Sequence, residues 1–270
     1  MTDLTQAAVA ALLRLRQRKP LVHQITNFVV MNCTANITLC AGALPVMAHA
    51  PEEAAEMAAC AGALVLNIGT LWKEQIEAMI LAGRAANQRG IPVVLDPVGA
   101  GATRFRTESS RRLLDELQIA IVRGNAAEIA VLAGLDARIA GVESLGAAHD
   151  AASIALQFAR KHHCVAAVTG PVDYISDGQR LIRVSNGHPL MAQVTGTGCM
   201  ATAVVASFAA VEPDYAGAAA AALAAYGLAG QIAAERAAGP GTFQMHLFDA
   251  LAGLTADALL AGARLEVEHP

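Results

Sequence analysis

Short runs of consecutive apolar residues alternate along this chain with longer segments whose apolar positions recur every three or four residues. Leu4, Ala8, Ala11, Leu12 and Leu15 fall on one face of a helix. The runs LVHQIT (21–26), ALPVMAH (43–49), ALVLNIG (63–69), IPVVLDPVG (91–99), IAIVRG (119–124) and VAAVTG (165–170) predict strands. Between them, helices are predicted within MNCTANITLC, PEEAAEMAACAG, TLWKEQIEAMILAGRAANQRG, about 108–117, NAAEIAVLAG and AAHDAASIALQFARKHHC. In the second of these, Pro51 suits the first turn, Glu52 and Glu53 the positive end of the helix dipole, and Gly62 the stop. DYISDGQRLIRVS reads as a hairpin turning at Asp177-Gly178. After TGTG a helix is expected from about Cys199, and helices fill most of the rest.

Very apolar strands alternating with helices imply an α/β fold: a mainly parallel central sheet with helices on both faces. No linker, repeat or composition break divides the chain, so residues 1–270 read as a single domain. In such sheets ligands gather beyond the carboxyl ends of the strands. That rule singles out Asn27, Asn67, Asp96, Arg123 and Thr169.

Composition narrows the partners. Hydrophobic residues make up 55%, charged ones 16% and aromatic ones 4%, so the core is built mostly of Ala, Val, Leu and Ile. The net charge of -4 and only three lysines, Lys19, Lys73 and Lys161, leave no nucleic-acid footprint. The densest basic run, Arg14, Arg16, Arg18 and Lys19, reads as the solvated end of the first helix. Cys33, Cys40, Cys60, Cys164 and Cys199 form no C-x-x-C pair. With no basic, apolar leader at the N-terminus, they fit a cytoplasmic protein. Residues 216–230, almost all Ala with Gly and Tyr, suit a buried helix better than a membrane span.

The strongest local feature is VTGTGCMATAVVASFAAV, from Val194. Gly196 and Gly198 open a long apolar helix whose first turn offers free N–H groups to an anion; an ordinary Gly-rich turn would look the same. Cys199 stands at that helix start, where the dipole should lower its thiol pKa. It could be a weak base, a polar wall or simply a small buried residue. Asp96, before Pro97, can hold Mg²⁺ or merely begin a turn. Asn125 and Glu128 have the spacing of a capping box, or lie near phosphates and Mg²⁺. No Walker A, G-x-G-x-x-G, H-E-x-x-H or G-x-S-x-G motif is present. Adjacent His162 and His163 point apart, and His23 and His49 line either a pocket or the core.

An N-x-x-E motif after a strand, followed by a G-T-G segment opening a helix, resembles the ribokinase-like superfamily. More closely, LVHQITNFVVMNCTANITLCAGALPVMAHAPEE, LVLNIGTL, VVLDPVGAGATRFRT, VRGNAAEI, AVTGPVDYISDG and VTGTGCMATA resemble the hydroxyethylthiazole kinases over nearly the whole chain. The resemblance implies a ribokinase-like fold and transfer of the ATP γ-phosphate to 4-methyl-5-(2-hydroxyethyl)thiazole. It implies Met47, Gly196, Asn27 and Val29 as thiazole contacts. Arg123, Thr169, Asn125 and Gly198 become ATP contacts, and Asp96 and Glu128 holders of Mg²⁺ and phosphates. Cys199 stands where many ribokinase relatives place an Asp base. The resemblance also implies a homotrimer with sites between protomers, which an Ala-rich surface at 216–225 would favour, although that segment could equally face its own core. Leu44 is larger than the residue expected before Pro45-Val46-Met47. The competing readings are a NAD(P)H-hydrate dehydratase of the same fold, which keeps Asp at position 199, and a non-enzymatic nucleotide-binding module.

Overall fold

The computed structural model describes residues 4–135 and 147–268. Helix α1 (Leu4–Arg18) leads into strand β1 (Leu21–Ile25), α2 (Met31–Ala41), β2 (Leu44–Val46), α3 (Pro51–Cys60) and β3 (Ala63–Asn67). Then come α4 (Lys73–Gln88), β4 (Val93–Asp96), α5 (Arg104–Glu116), β5 (Ile121–Asn125), α6 (Ala126–Ala133), α7 (Ala147–His162) and β6 (Val165–Thr169). The hairpin β7 (Asp173–Ser176) and β8 (Leu181–Val184) precedes a 3₁₀ turn (Pro189–Gln193), α8 (Thr197–Ala209), α9 (Tyr215–Ala234), α10 (Pro240–Ala252), α11 (Ala256–Gly262) and β9 (Leu265–Glu268).

Among the described residues nine strands form one sheet, ordered β2-β1-β3-β4-β5-β6-β7-β8-β9. The first six strands in that order pair parallel, and β7, β8 and β9 add antiparallel. Alternate strand residues face opposite layers. Val65 and Val94 point into the layer of α1, α2 and α8–α10, whereas Leu64, Leu66 and Leu95 point into that of α3–α7. Parallel crossovers bring every β-to-α turn of the parallel part to one edge, the carboxyl edge.

Most elements lie where the apolar pattern puts them. β2 is only three residues long. α5 starts four residues earlier than expected, because the Thr103 hydroxyl accepts the Arg106 N–H and caps it there. α8 starts at Thr197. β9 falls in the stretch that helices were expected mostly to fill. The basic run at the end of α1 is not simply solvated: Arg14 pairs with Glu212, and Arg16 donates to the carbonyls of Leu251 and Leu254 at the end of α10.

α9 is long and apolar enough to cross a membrane by length and composition, but 78% of its most apolar window is buried in the fold. Ala216, Ala218–Ala222, Ala224 and Ala225 pack into the chain's own core. The Ala-rich segment is therefore no free surface, and its small side chains serve close packing on α1, α8 and α10. It gives no support to a trimer.

Candidate active site

The carboxyl edge gathers the strand-end residues. Register pairs Asn67 with Asp96 across β3 and β4, and Asn125 with Thr169 across β5 and β6. Asn27 Nδ2 donates to Asn67 Oδ1 at 2.8 Å, and Asn67 Nδ2 donates to Asp96 Oδ2 at 2.8 Å. The Thr202 hydroxyl, from α8, donates to the same Asp96 oxygen at 2.8 Å. Arg123 Nη2 donates to Thr169 Oγ1 at 2.6 Å, while its Nη1 stands 4.0 Å from Asp96 Oδ1. That Oδ1 is buried and has no hydrogen-bond partner. Burial raises the Asp96 carboxyl to about 6, against the opposing pull of Arg123 and the two donors.

The Gly196–Gly198 turn closes this edge. Gly196 caps α8 at φ 90°, a left-handed conformation that glycine adopts without strain. The Thr197 hydroxyl donates back to Met191 O at 2.7 Å, and the buried Tyr226 hydroxyl donates to Thr197 O at 3.1 Å. Beside this turn lies a cleft of about 620 Å³, lined by Arg123, Asn125, Thr169, Asp173, Gly198 and Tyr226 among others. Its volume suits a nucleotide-sized ligand.

Cys199 departs from expectation. The helix dipole was expected to lower its pKa, but the thiol is pushed up to about 11 by burial and by nearby Asp96. Desolvation of a thiolate outweighs the first-turn dipole, which is worth about 1 kcal/mol. At neutral pH the group is a thiol, and its sulfur sits 3.5 Å from the donating Asn27 Nδ2. Cys199→Ala is therefore expected to lower kcat by less than about tenfold, short of the hundredfold or more that a general base supplies. Cys199→Asp is expected to stay active. Steady-state kinetics check both, and a dead Ala variant that keeps its fold would restore the base reading.

The capping box is real: Asn125 Oδ1 accepts the Glu128 N–H, and Glu128 Oε2 accepts the Asn125 N–H, both at 2.9 Å. Glu128 Oε1 also accepts the Gly99 N–H at 2.8 Å, tying the loop after β4 to α6. Each carboxylate oxygen keeps a second lone pair, so the structural role does not use up the group.

Of the residues implied for a second substrate, Asn27 is buried and the others lie more open. Val29 and Phe28 are each 64% exposed, and Met47 follows the edge strand β2, partly exposed. Val30 of the same loop lies against Gly196. Phe28 stacks on Trp72, ring centroids 5.0 Å apart and 7° from parallel. His23 is fully buried with Nε2 bonded to Ala48 O, a core histidine, whereas His49 Nε2 bonds the Thr26 backbone. His162 packs against Phe158.

Sequence reasoning left Thr202, Asp173 and Tyr226 out of the site, and flagged Asn67 only by its place after a strand. Thr202 had a signal, since it is a hydroxyl inside the apolar run MATAVV, one turn beyond Gly198. Asp173 had none: it opens β7, accepts the Gly170 N–H at 3.0 Å, and burial raises its carboxyl to about 6.

Residues 12–257 match the model of the hydroxyethylthiazole kinase family. A hydroxyethylthiazole kinase of Chloroflexus aggregans is 57% identical over 252 residues, which cover 93% of this chain and 91% of that one. The structure of a hydroxyethylthiazole kinase protein from Pyrococcus horikoshii is 43% identical, with a TM-score of 0.91, over 97% of this chain and 99% of that one. The pyridoxal kinase of Staphylococcus aureus, solved with pyridoxal, shares the fold at 14% identity and a TM-score of 0.63, over 93% and 98%.

Proposed function

This chain belongs to the hydroxyethylthiazole kinase family, and from that premise we propose that it transfers the γ-phosphoryl group of ATP to the primary alcohol of 4-methyl-5-(2-hydroxyethyl)thiazole, in thiamine salvage. The fold is ribokinase-like, and residues 1–270 act as one kinase domain. A dehydratase of the same fold is not favoured, because the family match and the highly identical relatives all carry the kinase name. The observation that carries the reading is the meeting, at one edge, of the α8 N-terminus, the Arg123 guanidinium and a buried carboxylate with one free oxygen.

ATP occupies the cleft beside Arg123, Asn125, Thr169 and Gly198, its phosphates toward the start of α8. The thiazole alcohol lies by Asn27, Val29, Met47 and Gly196. Among the described residues no group of three or more His, Cys, Asp and Glu side chains makes a closed metal site. The residues do fit Mg²⁺, which takes one or two carboxylates and completes its shell with phosphate and water oxygens. Asp96, through its unpartnered Oδ1, and Glu128, through its spare lone pairs, would hold it. When bound, Mg²⁺ neutralises phosphate charge. Arg123 and the α8 turn add positive charge where it develops on the transferred group. A loose transition state asks little of a base, so a neutral Cys199 that orients the alcohol suffices.

The family resemblance further supports a cytoplasmic homotrimer whose sites lie between protomers. Exposed Phe28, Val29 and Leu44, near the open strand β2, would then be covered by the neighbouring copy. The test is Mg²⁺-dependent formation of the thiazole monophosphate from ATP, with light scattering of the same preparation. We expect product, and a particle of three 27.8 kDa chains. Absence of product from folded protein at saturating substrates sinks the activity, and a monomer at micromolar concentration sinks the shared site.

A further inference from the structure

The side-chain amides of Asn27, after β1, and Asn67, the last residue of β3, have only one orientation open to them. The Gly69 N–H can only donate, and it reaches Asn67 Oδ1 at 2.9 Å. The amide oxygen therefore faces Gly69, and the NH₂ group faces Asp96 Oδ2. In the same way the Val29 N–H donates to Asn27 Oδ1 at 3.1 Å. Asn27 Nδ2 is thus turned to Asn67 Oδ1 and Cys199 Sγ. The packing is close: a Cβ at position 69 would lie 2.5 Å from Asn27 Nδ2, so only glycine admits this contact. Two backbone N–H groups thereby set the polarity of a chain of side chains that ends on Asp96.

The end of the chain is asymmetric. Asp96 Oδ2 receives both donors, Asn67 and Thr202, while Oδ1 receives none and lies 4.0 Å from Arg123 Nη1. A buried carboxylate oxygen without a partner is costly, and the nearby guanidinium could supply that partner. A free carboxylate would turn and close onto Arg123. Holding Oδ2 from behind prevents that turn.

We propose that Asn67 is a positioning residue: its amide, locked by the Gly69 N–H and Asn27, holds Asp96 so that Oδ1 stays unpaired instead of closing onto Arg123. The identity of what Oδ1 then meets rests on the kinase reading; the hold itself does not. Asn67 is 1% exposed and acts through the side chains it holds, Asp96 and Asn27. The same amide joins Asn27, beside the alcohol, to Asp96, beside the phosphates.

The experiment has a kinetic arm and a structural arm, both on the full chain. In Asn67→Ala, kcat is expected to fall on the order of a hundredfold, the cost of a misplaced group, with each KM within about threefold of wild type. In its crystal structure the Asp96 carboxylate is expected to turn, closing the 4.0 Å gap to Arg123 to about 2.8 Å. Asn67→Leu keeps the approximate volume and loses the donor to Asp96 without adding a second carboxyl beside it. It is expected to show the same fall in kcat, and it serves if the Ala variant does not fold. A wild-type kcat in either folded variant, or an Asp96 carboxylate that has not moved, overturns the proposal. If the wild-type protein itself yields no product, the kinase reading fails, and the position of Asp96 in the variant still decides the role of Asn67.

Discussion

Asp96→Asn is expected to abolish turnover while making the free protein more resistant to heat at neutral pH. The two effects have one cause. Burial raises the Asp96 carboxyl from 3.8 to about 6, so keeping it ionised at pH 7 costs the fold about 3 kcal/mol. An amide carries no charge, and its oxygen can take the Asn67 and Thr202 donors. Its NH₂ group then faces Arg123 without a partner, which offsets part of the gain. The sign follows from proton binding. Between about pH 4 and 6 the folded protein holds more protons than the unfolded chain, so this contribution to stability is complete below pH 3.8 and is lost as pH rises through 6. The difference in Tm between variant and wild type should therefore be largest at pH 7–8 and shrink toward pH 4. Catalysis runs the other way, because loss of the charge that organises the phosphates costs on the order of a thousandfold in kcat. Thermal unfolding across pH, with the kinase assay, checks both. A variant less stable than wild type at pH 8 would mean that the carboxylate contributes to the fold through its hydrogen bonds more than its burial costs.

Arg123→Ala is expected to lower kcat/KM for ATP on the order of a thousandfold, and Arg123→Lys to recover only part of it. Arg123 is the cation closest to Asp96, and it holds Thr169 with one arm of its fork. Lysine replaces the charge but not a planar fork that holds the Thr169 hydroxyl with one arm and leaves the other for a phosphate. The loss should fall on both KM for ATP and kcat, since the guanidinium faces the cleft and the transferred group alike. Titration of ATP at saturating alcohol measures the split. An Ala variant with wild-type KM for ATP would move the nucleotide away from Arg123.

The parallel strands and the gathering of their end residues were legible because both follow from local pattern. A buried parallel strand is a plain apolar run, and the rule that ligands sit past its carboxyl end selects Asn27, Asn67, Asp96, Arg123 and Thr169 without further information. What escaped the sequence depends on contacts between distant segments. β9, Leu-Glu-Val-Glu, is too short and too exposed to register as a strand until β8 is beside it. Arg16 looks solvated until the end of α10 arrives with its carbonyls. The dipole at Cys199 is a local effect and was foreseen, whereas the burial that overrides it is not local and was missed. The direction of each amide in the Asn27–Asn67–Asp96 chain is likewise set by backbone groups at positions 29 and 69, which no residue pattern announces.

The stacked pair Phe28–Trp72 has a practical consequence. Trp72 is the only tryptophan in the chain, and its ring rests on the residue between Asn27 and Val29. Every photon of indole fluorescence from this protein therefore originates beside the mouth proposed for the thiazole alcohol. A ligand or a neighbouring chain that covers Phe28 changes the polarity around that one ring, and the emission maximum reports it without any label.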